Sequence, residues 1–459
     1  MDEIVSLCKR RGFIFPGSEV YGGLAGTWDF GPLGVMLKRN IENSFWQTFV
    51  ESRTDMYGVD AAIIMNPKVW EASGHVATFA DPLVEDLVNR KRYRLDHLLE
   101  EAGFSVQGLT FDAMCDIMKR EGLKSPDGNA LGEARMFNMM FSTHVGPVVD
   151  DTSVAYLRPE TAQGIFTNYK NVVDTLYPDL PFGLAQIGKA FRNEISPRDF
   201  VFRSREFNQM EIEYFCDPND WERLFEEWLA AYHKWLLGLG LDATKIHDLE
   251  VPAEDRAHYS KRTVDIEFDY PIGRKELMGI AYRTDFDLQN IQRVSGKNME
   301  YTIKGTNKKL VPHVIEPSIG VERLMMAVMC SAYMREIEVG GDNSTAGSSN
   351  APAGGAAKAG RVVLKLPEFL APYRFCVSPL LKNKPELVAK AREVFAGLKK
   401  KYGNVAWDDN GNIGKRYAKQ DEIGTPKCIV IDFDTLEDGT VTVRNRDDAS
   451  QIRVAISEL

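Results

Sequence analysis

Two clusters of side chains in this 459-residue chain have the types and spacing to handle phosphate. The first runs Ile187-Gly188-Lys189-Ala190-Phe191-Arg192-Asn193-Glu194. It continues, past the turn-prone Ile195-Ser196-Pro197-Arg198-Asp199, into Phe202-Arg203-Ser204-Arg205-Glu206-Phe207. An arginine ending an apolar strand, a loop, then more arginines beside an aromatic make a strand–loop–strand able to close over a polyphosphate. Arginine suits that work because its planar fork grips phosphate oxygens in pairs and stays charged. The same pattern also describes a hairpin with solvated surface arginines. The second cluster is Glu316-Pro317-Ser318-Ile319-Gly320-Val321-Glu322-Arg323, leading into an apolar run. Gly320 lets a ligand approach the backbone. Arg323 falls in the first turn of the helix that the apolar run predicts, where a cation opposes the helix dipole. An anionic ligand explains that placement better than packing does.

The elements that must position these clusters are legible in part. Residues 210–215 and 264–270 alternate as strands do, and residues 324–333 form a nearly all-apolar helix, hence a buried one. Leu33, Leu37, Ile41, Phe45 and Phe49 mark an amphipathic helix just after Gly31-Pro32, and residues 221–239 form another helix, rich in Trp and Leu. Residues 82–150 are charged and read as an inserted helical module within a catalytic domain of residues 1–339. Residues 340–360 contain six Gly and six Ala with no larger aliphatic, too little apolar surface to offset ordering, so this stretch is expected to be mobile. It is either a tether or a tolerated surface insertion. Beyond it, residues 361–459 alternate strand and helix. Strands are expected at 373–379, 404–407, 427–433 and 440–444, and a helix opens at Asn383-Lys384-Pro385-Glu386 with a cap and an early proline.

Composition narrows the class. With 56 Lys plus Arg against 66 Asp plus Glu the net charge is −10, which argues against a simple basic nucleic-acid binder. The charge is uneven: residues 361–459 hold 17 basic and 14 acidic residues, or +3, leaving −13 for the first 360. Local patches, not totals, govern phosphate binding. There is no apolar run of roughly 18 or more residues, so no membrane span is expected. The start, Met1-Asp2-Glu3-Ile4-Val5, is acidic where a targeting peptide would be basic. Six scattered cysteines without a C-x-x-C pair suit a reducing compartment, so a cytoplasmic protein is expected.

Together the two clusters resemble the class II aminoacyl-tRNA synthetases. Phe191-Arg192-Asn193-Glu194 with Arg205-Glu206-Phe207 is similar to their motif 2, Gly320-x-x-Arg323 to motif 3, and the helix after Gly31-Pro32 to motif 1. More narrowly, the chain resembles the homodimeric glycyl-tRNA synthetases. The strings that carry this are Tyr21-Gly22-Gly23, Asp29-Phe30-Gly31-Pro32-Leu33-Gly34, Ser73-Gly74-His75, Tyr93-Arg94-Leu95-Asp96-His97, Leu157-Arg158-Pro159-Glu160-Thr161-Ala162-Gln163-Gly164, Thr284-Asp285-Phe286-Asp287-Leu288 and Glu316-Pro317-Ser318. The resemblance implies an α+β fold: an antiparallel sheet flanked by helices, with a C-terminal α/β anticodon-binding domain. It also implies a homodimer whose substrates are ATP, glycine and tRNA(Gly), with Mg²⁺ as a helper.

By that resemblance Arg192 and Arg323 are the catalytic residues, the first bridging the glycine carboxylate and the α-phosphate, the second meeting the outer phosphates and lying over the adenine. Glu194 and Phe207 would read the adenine. Arg203 and Arg205 would serve the triphosphate tail, and Glu276 with Leu277 would form an ATP wall, Glu276 also holding Mg²⁺. Asn193, Phe202, Ser204, Glu206, Gly320, Val321 and Glu322 complete the ATP set. Glycine has no side chain to recognise, and attraction discriminates a methylene by only about 1–3 kcal/mol, so larger amino acids must be excluded sterically. Close acidic walls satisfy both needs, pairing with the α-ammonium and filling the space. Glu160, Glu316 and Ser318 match the family's glycine positions, with Arg283 and Arg94 nearby. Phe207, Asn208, Gln209, Met210 and Glu211 lie on the strand forming the pocket floor, and Pro317, Ile319 and Gly320 adjoin it. His75 invites a general-base reading, but the chemistry needs no base, so a structural or tRNA-end role is expected. Residues 410–419, with Lys415, Arg416 and Lys419 beside Tyr417, are the anticodon candidate. Two rivals stand beside this reading: a non-catalytic protein that keeps only the fold, and a class II enzyme charging alanine or serine.

Overall fold

The computed structural model describes residues 1–106, 108–150, 152–336 and 360–459. At its centre is a seven-stranded sheet of Met56–Gly58 (β1), Phe182–Phe191 (β2), Glu206–Cys216 (β3), Ile246–Glu250 (β4), Arg262–Tyr270 (β5), Gly273–Thr284 (β6) and His313–Gly320 (β7), ordered β4-β5-β6-β7-β3-β2-β1. Every pair is antiparallel except β1 with β2. Successive side chains on a strand point to opposite faces. Met210, Ile212, Met278, Ile280, Ile315 and Ile319 therefore share one face. There they form the main core with helices Pro32–Trp46, Trp221–Gly238 and Val321–Ala332. The opposite face carries Gln209, Glu211, Glu213, Arg283, Glu316 and Ser318, polar yet buried or nearly so. Helix Ala162–Leu176 closes one end of that face over Phe182 and Phe215. The rest is open and becomes the site.

The helix after Gly31 starts on Pro32, whose missing N–H costs nothing at a first helical position. Its Gly34 lies so close to the Phe13 carbonyl that a Cβ there would collide with it. The apolar helix begins at Val321, three residues before the expected 324, because β7 runs straight into it. Residues 82–150 are not purely helical. Strands Ala80–Glu85, Arg92–Arg94 and Arg135–Asn138 form a three-stranded sheet beside helices Leu95–Glu101 and Phe111–Arg120. These strands are too short and too charged for their alternation to stand out, and tertiary packing of Val84, Leu95, Leu98 and Leu99 fixes them.

The C-terminal domain is a five-stranded mixed sheet, Val405–Trp407, Phe375–Pro379, Lys427–Ile431, Thr440–Asn445 and Gln451–Ala455 in spatial order, with helices Pro385–Tyr402 and Ile413–Ile423. The expected cap at Asn383 is absent: Lys384 holds the N-cap position without a side-chain bond. The strand expected at 427–433 stops at Ile431 because Asp432 caps the short helix Phe433–Asp438 through Thr435. The Gly/Ala/Ser stretch, but for Gly360, lies outside the described residues, and so does its expected mobility. Its flanks do not: Tyr333–Glu336 and Arg361–Leu364 pair antiparallel, with Glu336 opposite Arg361. Arg10 and Arg11 of the first helix also bond Glu422 in the C-terminal domain, at 3.0 and 2.5 Å.

Candidate active site

The open end of the polar face is a cavity of about 340 Å³ lined by β3, β5, β6, β7 and the loop joining β2 to β3. Register aligns its floor: Glu211 on β3 sits opposite Ser318 on β7, Ser318 opposite Gly279 on β6, and Gly279 opposite Asp265 on β5. At the loop tip Asp199 and Phe200 both adopt left-handed backbone, at φ 61° and 58°, costly for a non-glycine residue and a sign of a tightly held bend. That bend returns Phe202, Arg203 and Ser204 to the cavity wall.

Arg192 follows directly on β2. Its Nε donates to the Pro159 carbonyl (3.0 Å), and its guanidinium lies over Phe79 and Phe207 at 5.6 and 5.3 Å. Among the described residues it has no ion-pair partner, so its outer nitrogens face the cavity uncommitted. Arg323 opens the apolar helix, pairs with Glu276 (3.1 Å), donates to the Phe202 carbonyl (3.3 Å) and lies over the Phe202 ring at 4.5 Å. Burial favours its neutral form, but Glu276 outweighs that and keeps the guanidinium firmly charged. The Arg323 charge in turn holds the Glu276 carboxyl below its usual range. Glu194 pairs with Arg203 at 3.7 Å.

Four carboxylates gather at the other end. Burial and the charge of Glu160 push Glu211 up, while Thr161 Oγ1 donates to it in a short contact. Gln209 Nε2 donates to Glu211 Oε1 (3.2 Å) and to Ser318 Oγ (3.0 Å), and Gln209 Oε1 accepts from the Thr161 N–H (3.2 Å). This closed web leaves little slack in the floor. Glu316 is pushed up to about 8 by burial, against the pull of Arg283 and with the push of Glu211 and Glu160. Glu160 goes the other way: burial would raise it, but His75, Arg283 and Arg192 hold it at about 2. Glu213, one step further along β3, is fully buried and raised well above its usual range by burial and by Glu316. Two like-charged groups in one apolar site drive each other's titration apart.

The structure thus gathers Glu160, Arg192, Glu194, Phe202, Arg203, Ser204, Phe207, Gln209, Glu211, Glu276, Leu277, Glu316, Ser318, Gly320, Glu322 and Arg323 around one cavity. Other expected residues stand outside it. Met210 and Ile319 point into the core on the far face, because alternation sends them there, and Pro317 shares the parity of Ile319 on β7; Val321 opens the following helix and packs in the same core. Asn208 is spent on Glu322, donating through its backbone N–H (2.8 Å) and Nδ2 (2.7 Å), which makes Glu322 a strut although it reaches the lining. Arg205 donates to the Glu194 and Ala25 carbonyls (2.9 and 2.7 Å) and braces the loop. Asn193 donates its backbone N–H to the Met139 carbonyl (2.7 Å), and Glu206 pairs with Lys189 on the hairpin surface. Arg94 is held by Asp81 and Asp96 in the inserted module. Arg283 lies behind the wall, buried, stacked 3.7 Å from the Tyr259 ring centroid and paired with Asp287 (2.7 Å) and Glu316. Sequence reasoning missed Asp265 and Tyr259, both in the lining. For Asp265 a signal existed, since it alternates with Val264 and Ile266 on a strand correctly expected; Tyr259 comes from a loop and gave none.

The distant anticodon candidate changes character. Arg416 is 3% exposed and donates to the Pro379, Asp409 and Gly411 carbonyls, so it is committed to the fold. Lys419 pairs with Asp408 at 3.1 Å.

A family model described as the tRNA synthetase class II core domain (G, H, P, S and T) matches residues 148–332, and an anticodon binding domain model matches residues 374–459. Glycine–tRNA ligases of Bacillus cereus (strain ZK / E33L) and Deinococcus radiodurans are each 46% identical over all of this chain and 97% of their own length. The chain belongs to the glycine–tRNA ligase family. This synthetase shares its fold with the Giardia lamblia prolyl-tRNA synthetase solved in complex with prolyl-adenylate, at a TM-score of 0.65 and 16% identity, over 100% of this chain and 75% of that one. The seven-stranded sheet is therefore the class II core, and the C-terminal sheet its anticodon-binding domain. The hairpin with Arg192 and the helix start with Arg323 both fall inside the matched core.

Proposed function

We propose that this synthetase attaches glycine to tRNA(Gly) in two steps. A glycine carboxylate oxygen attacks the α-phosphorus of ATP, the bond to the β-phosphate breaks, and pyrophosphate leaves. The hydroxyl of the tRNA 3′ end then attacks the carbonyl of the glycyl-adenylate, and AMP leaves. The reading rests above all on the pairing of an uncommitted cation, Arg192, with a wall of buried carboxylates across one cavity. Glycine is a zwitterion of matching polarity.

Two anions must meet in the first step, so positioning and charge do the work, and no nucleophilic side chain is required. Positioning alone can supply roughly 7–11 kcal/mol of such a barrier. Arg192 spans the carboxylate and the α-phosphate and stabilises charge growing there, while Arg203 and Arg323 take the outer phosphates. Phe207 and Glu194 receive the adenine. Glu160, Glu211 and Glu316 hold the ammonium, and the Gln209–Ser318 web occupies the space of a side chain. Glu276, with Asp265 beside it in the lining, would hold Mg²⁺: that ion takes one or two carboxylates and completes its shell with phosphates and water. When bound it neutralises phosphate charge. Among the described residues no larger cluster of candidate ligands is present, which suits an ion brought with ATP. Residues 1–339 carry this chemistry, with 82–150 as an insertion, and 361–459 bind the anticodon arm. The enzyme works in the cytoplasm as a homodimer through the helix Pro32–Trp46. Among the described residues no helix is long and apolar enough to cross a membrane.

ATP–pyrophosphate exchange measured in parallel with glycine, alanine and serine tests this. Exchange with glycine alone is expected. Silence with all three would refute the enzyme reading, and faster exchange with alanine or serine would refute the glycine assignment.

A further inference from the structure

We infer that His75 is a positioning residue for amino-acid recognition: it holds Glu160 charged and aimed, so that one carboxylate oxygen is kept for the substrate's ammonium. This rests on the assignment of Glu160 to the glycine pocket.

Glu160 lines the cavity, and its two oxygens differ. Oε2 lies 3.4 Å from His75 Nε2, whereas Oε1 is sealed from solvent and has no partner among the described residues. A buried carboxylate oxygen without a donor is costly unless a ligand supplies one. The histidine is itself tightly seated. Its Nδ1 is 2.8 Å from Ser73 Oγ, which also reaches the Trp70 carbonyl at 3.3 Å. Nε2 faces a carboxylate, which only accepts, so Nε2 carries a proton; Nδ1 faces a hydroxyl able to serve either way. The Trp70 and Phe79 rings pack against the imidazole at 5.3 and 5.6 Å. Gly74, at φ 86°, takes the left-handed turn that swings His75 toward the sheet. Asn138 of the inserted module donates to the Val76 carbonyl (2.9 Å), anchoring that turn from outside.

The same short segment serves the other end of the pocket. Phe79 lies under the Arg192 guanidinium, so residues 70–79 brace both the cation that would meet the carboxylate and the anion that would meet the ammonium. None of these residues needs to touch substrate.

The test uses the full-length enzyme in ATP–pyrophosphate exchange, with KM for glycine and for ATP measured separately. His75→Phe should raise the glycine KM about ten- to a hundredfold, the loss expected for one polar contact with a charged group, and leave the ATP KM unchanged. His75→Gln, which can still donate to Glu160, should recover much of that loss. Ser73→Ala should move the glycine KM the same way, but less. A glycine KM that stays at the parent value in His75→Phe, or that rises in step with the ATP KM, overturns the inference. If His75→Phe does not fold, His75→Gln and Ser73→Ala decide by the same split. Glu160→Gln is the reference. Should it leave the glycine KM unchanged, the pocket assignment itself is wrong and this inference falls with it. Should it weaken glycine while the His75 variants do not, only the positioning role is wrong.

Discussion

Replacing Arg192 by Gln isolates the cation proposed to carry activation. The guanidinium is fixed at Nε by the Pro159 carbonyl and lies beside the Phe79 and Phe207 rings, yet it carries no ion pair among the described residues. Its two outer nitrogens are therefore available to bridge carboxylate and phosphate. Each hydrogen bond to a charged group contributes about 1.5–3 kcal/mol, so losing two costs about 3–6 kcal/mol in the transition state. At about 1.4 kcal/mol per decade, kcat/KM for exchange should fall by roughly 10²–10⁴. Folding should suffer little. The Pro159 bond contributes about 0.5–1.5 kcal/mol, and the buried Glu160 carboxylate, which Arg192 helps to keep ionised, retains His75 and Arg283. The assay is glycine-dependent ATP–pyrophosphate exchange beside a thermal melt of the same preparation. An exchange rate within tenfold of the parent in a folded Arg192→Gln variant would refute the argument, because the pocket would then activate glycine without its uncommitted cation.

Glycine binding should be pH-linked. Glu316 titrates near 8 in the free protein, raised by burial, so at lower pH the ammonium must displace its proton; the glycine KM should fall as pH rises toward that value and level off above it. Calorimetry in buffers of different ionisation enthalpy should show about one proton released per glycine at neutral pH, and a pH-independent KM contradicts this. Ser318→Val leaves one hydrogen of the Gln209 amide without its acceptor, at a cost of about 1–3 kcal/mol, and should raise the glycine KM about five- to a hundredfold while sparing that for ATP; an unchanged glycine KM counts against the floor. Arg283→Met leaves the buried Asp287 carboxylate without its cation and should destabilise the enzyme by about 3–5 kcal/mol, seen as a large drop in the melting midpoint. Gly34→Ala drives a Cβ into the Phe13 carbonyl and should destabilise by about 1–3 kcal/mol through overpacking, whereas a parent-like melt would show that the helix can shift.

Local sequence carried the outline because the strongest elements obey local rules. Proline at the head of Pro32–Trp46 and the unbroken apolar run of Val321–Ala332 are self-announcing. The alternation of β3 and β5 was equally visible, but its consequence was not drawn: Met210 and Ile319 share strings with Glu211 and Ser318 yet face the other way, and a period of two decides that. What stayed hidden depended on partners far along the chain. Arg416 reads as an anticodon-contacting cation until the loop carbonyls that surround it are known. The small sheet of the inserted module depends on packing with Leu95 and Leu99, not on pattern. His75 reads as structural or as a tRNA-end contact because the reaction needs no base; its relation to Glu160 spans 85 positions, from 75 to 160, and no spacing rule reaches that far.

The web joining Thr161, Glu211, Gln209 and Ser318 has an evolutionary corollary. Widening this floor for a larger amino acid cannot be done by trimming one side chain, since each member satisfies another and any deletion orphans a buried donor or acceptor. Drift toward alanine would have to cross intermediates that bind glycine worse before they bind anything else better. On the proposed pocket assignment, fidelity is guarded less by the size of the pocket than by the ruggedness of the paths leading out of it.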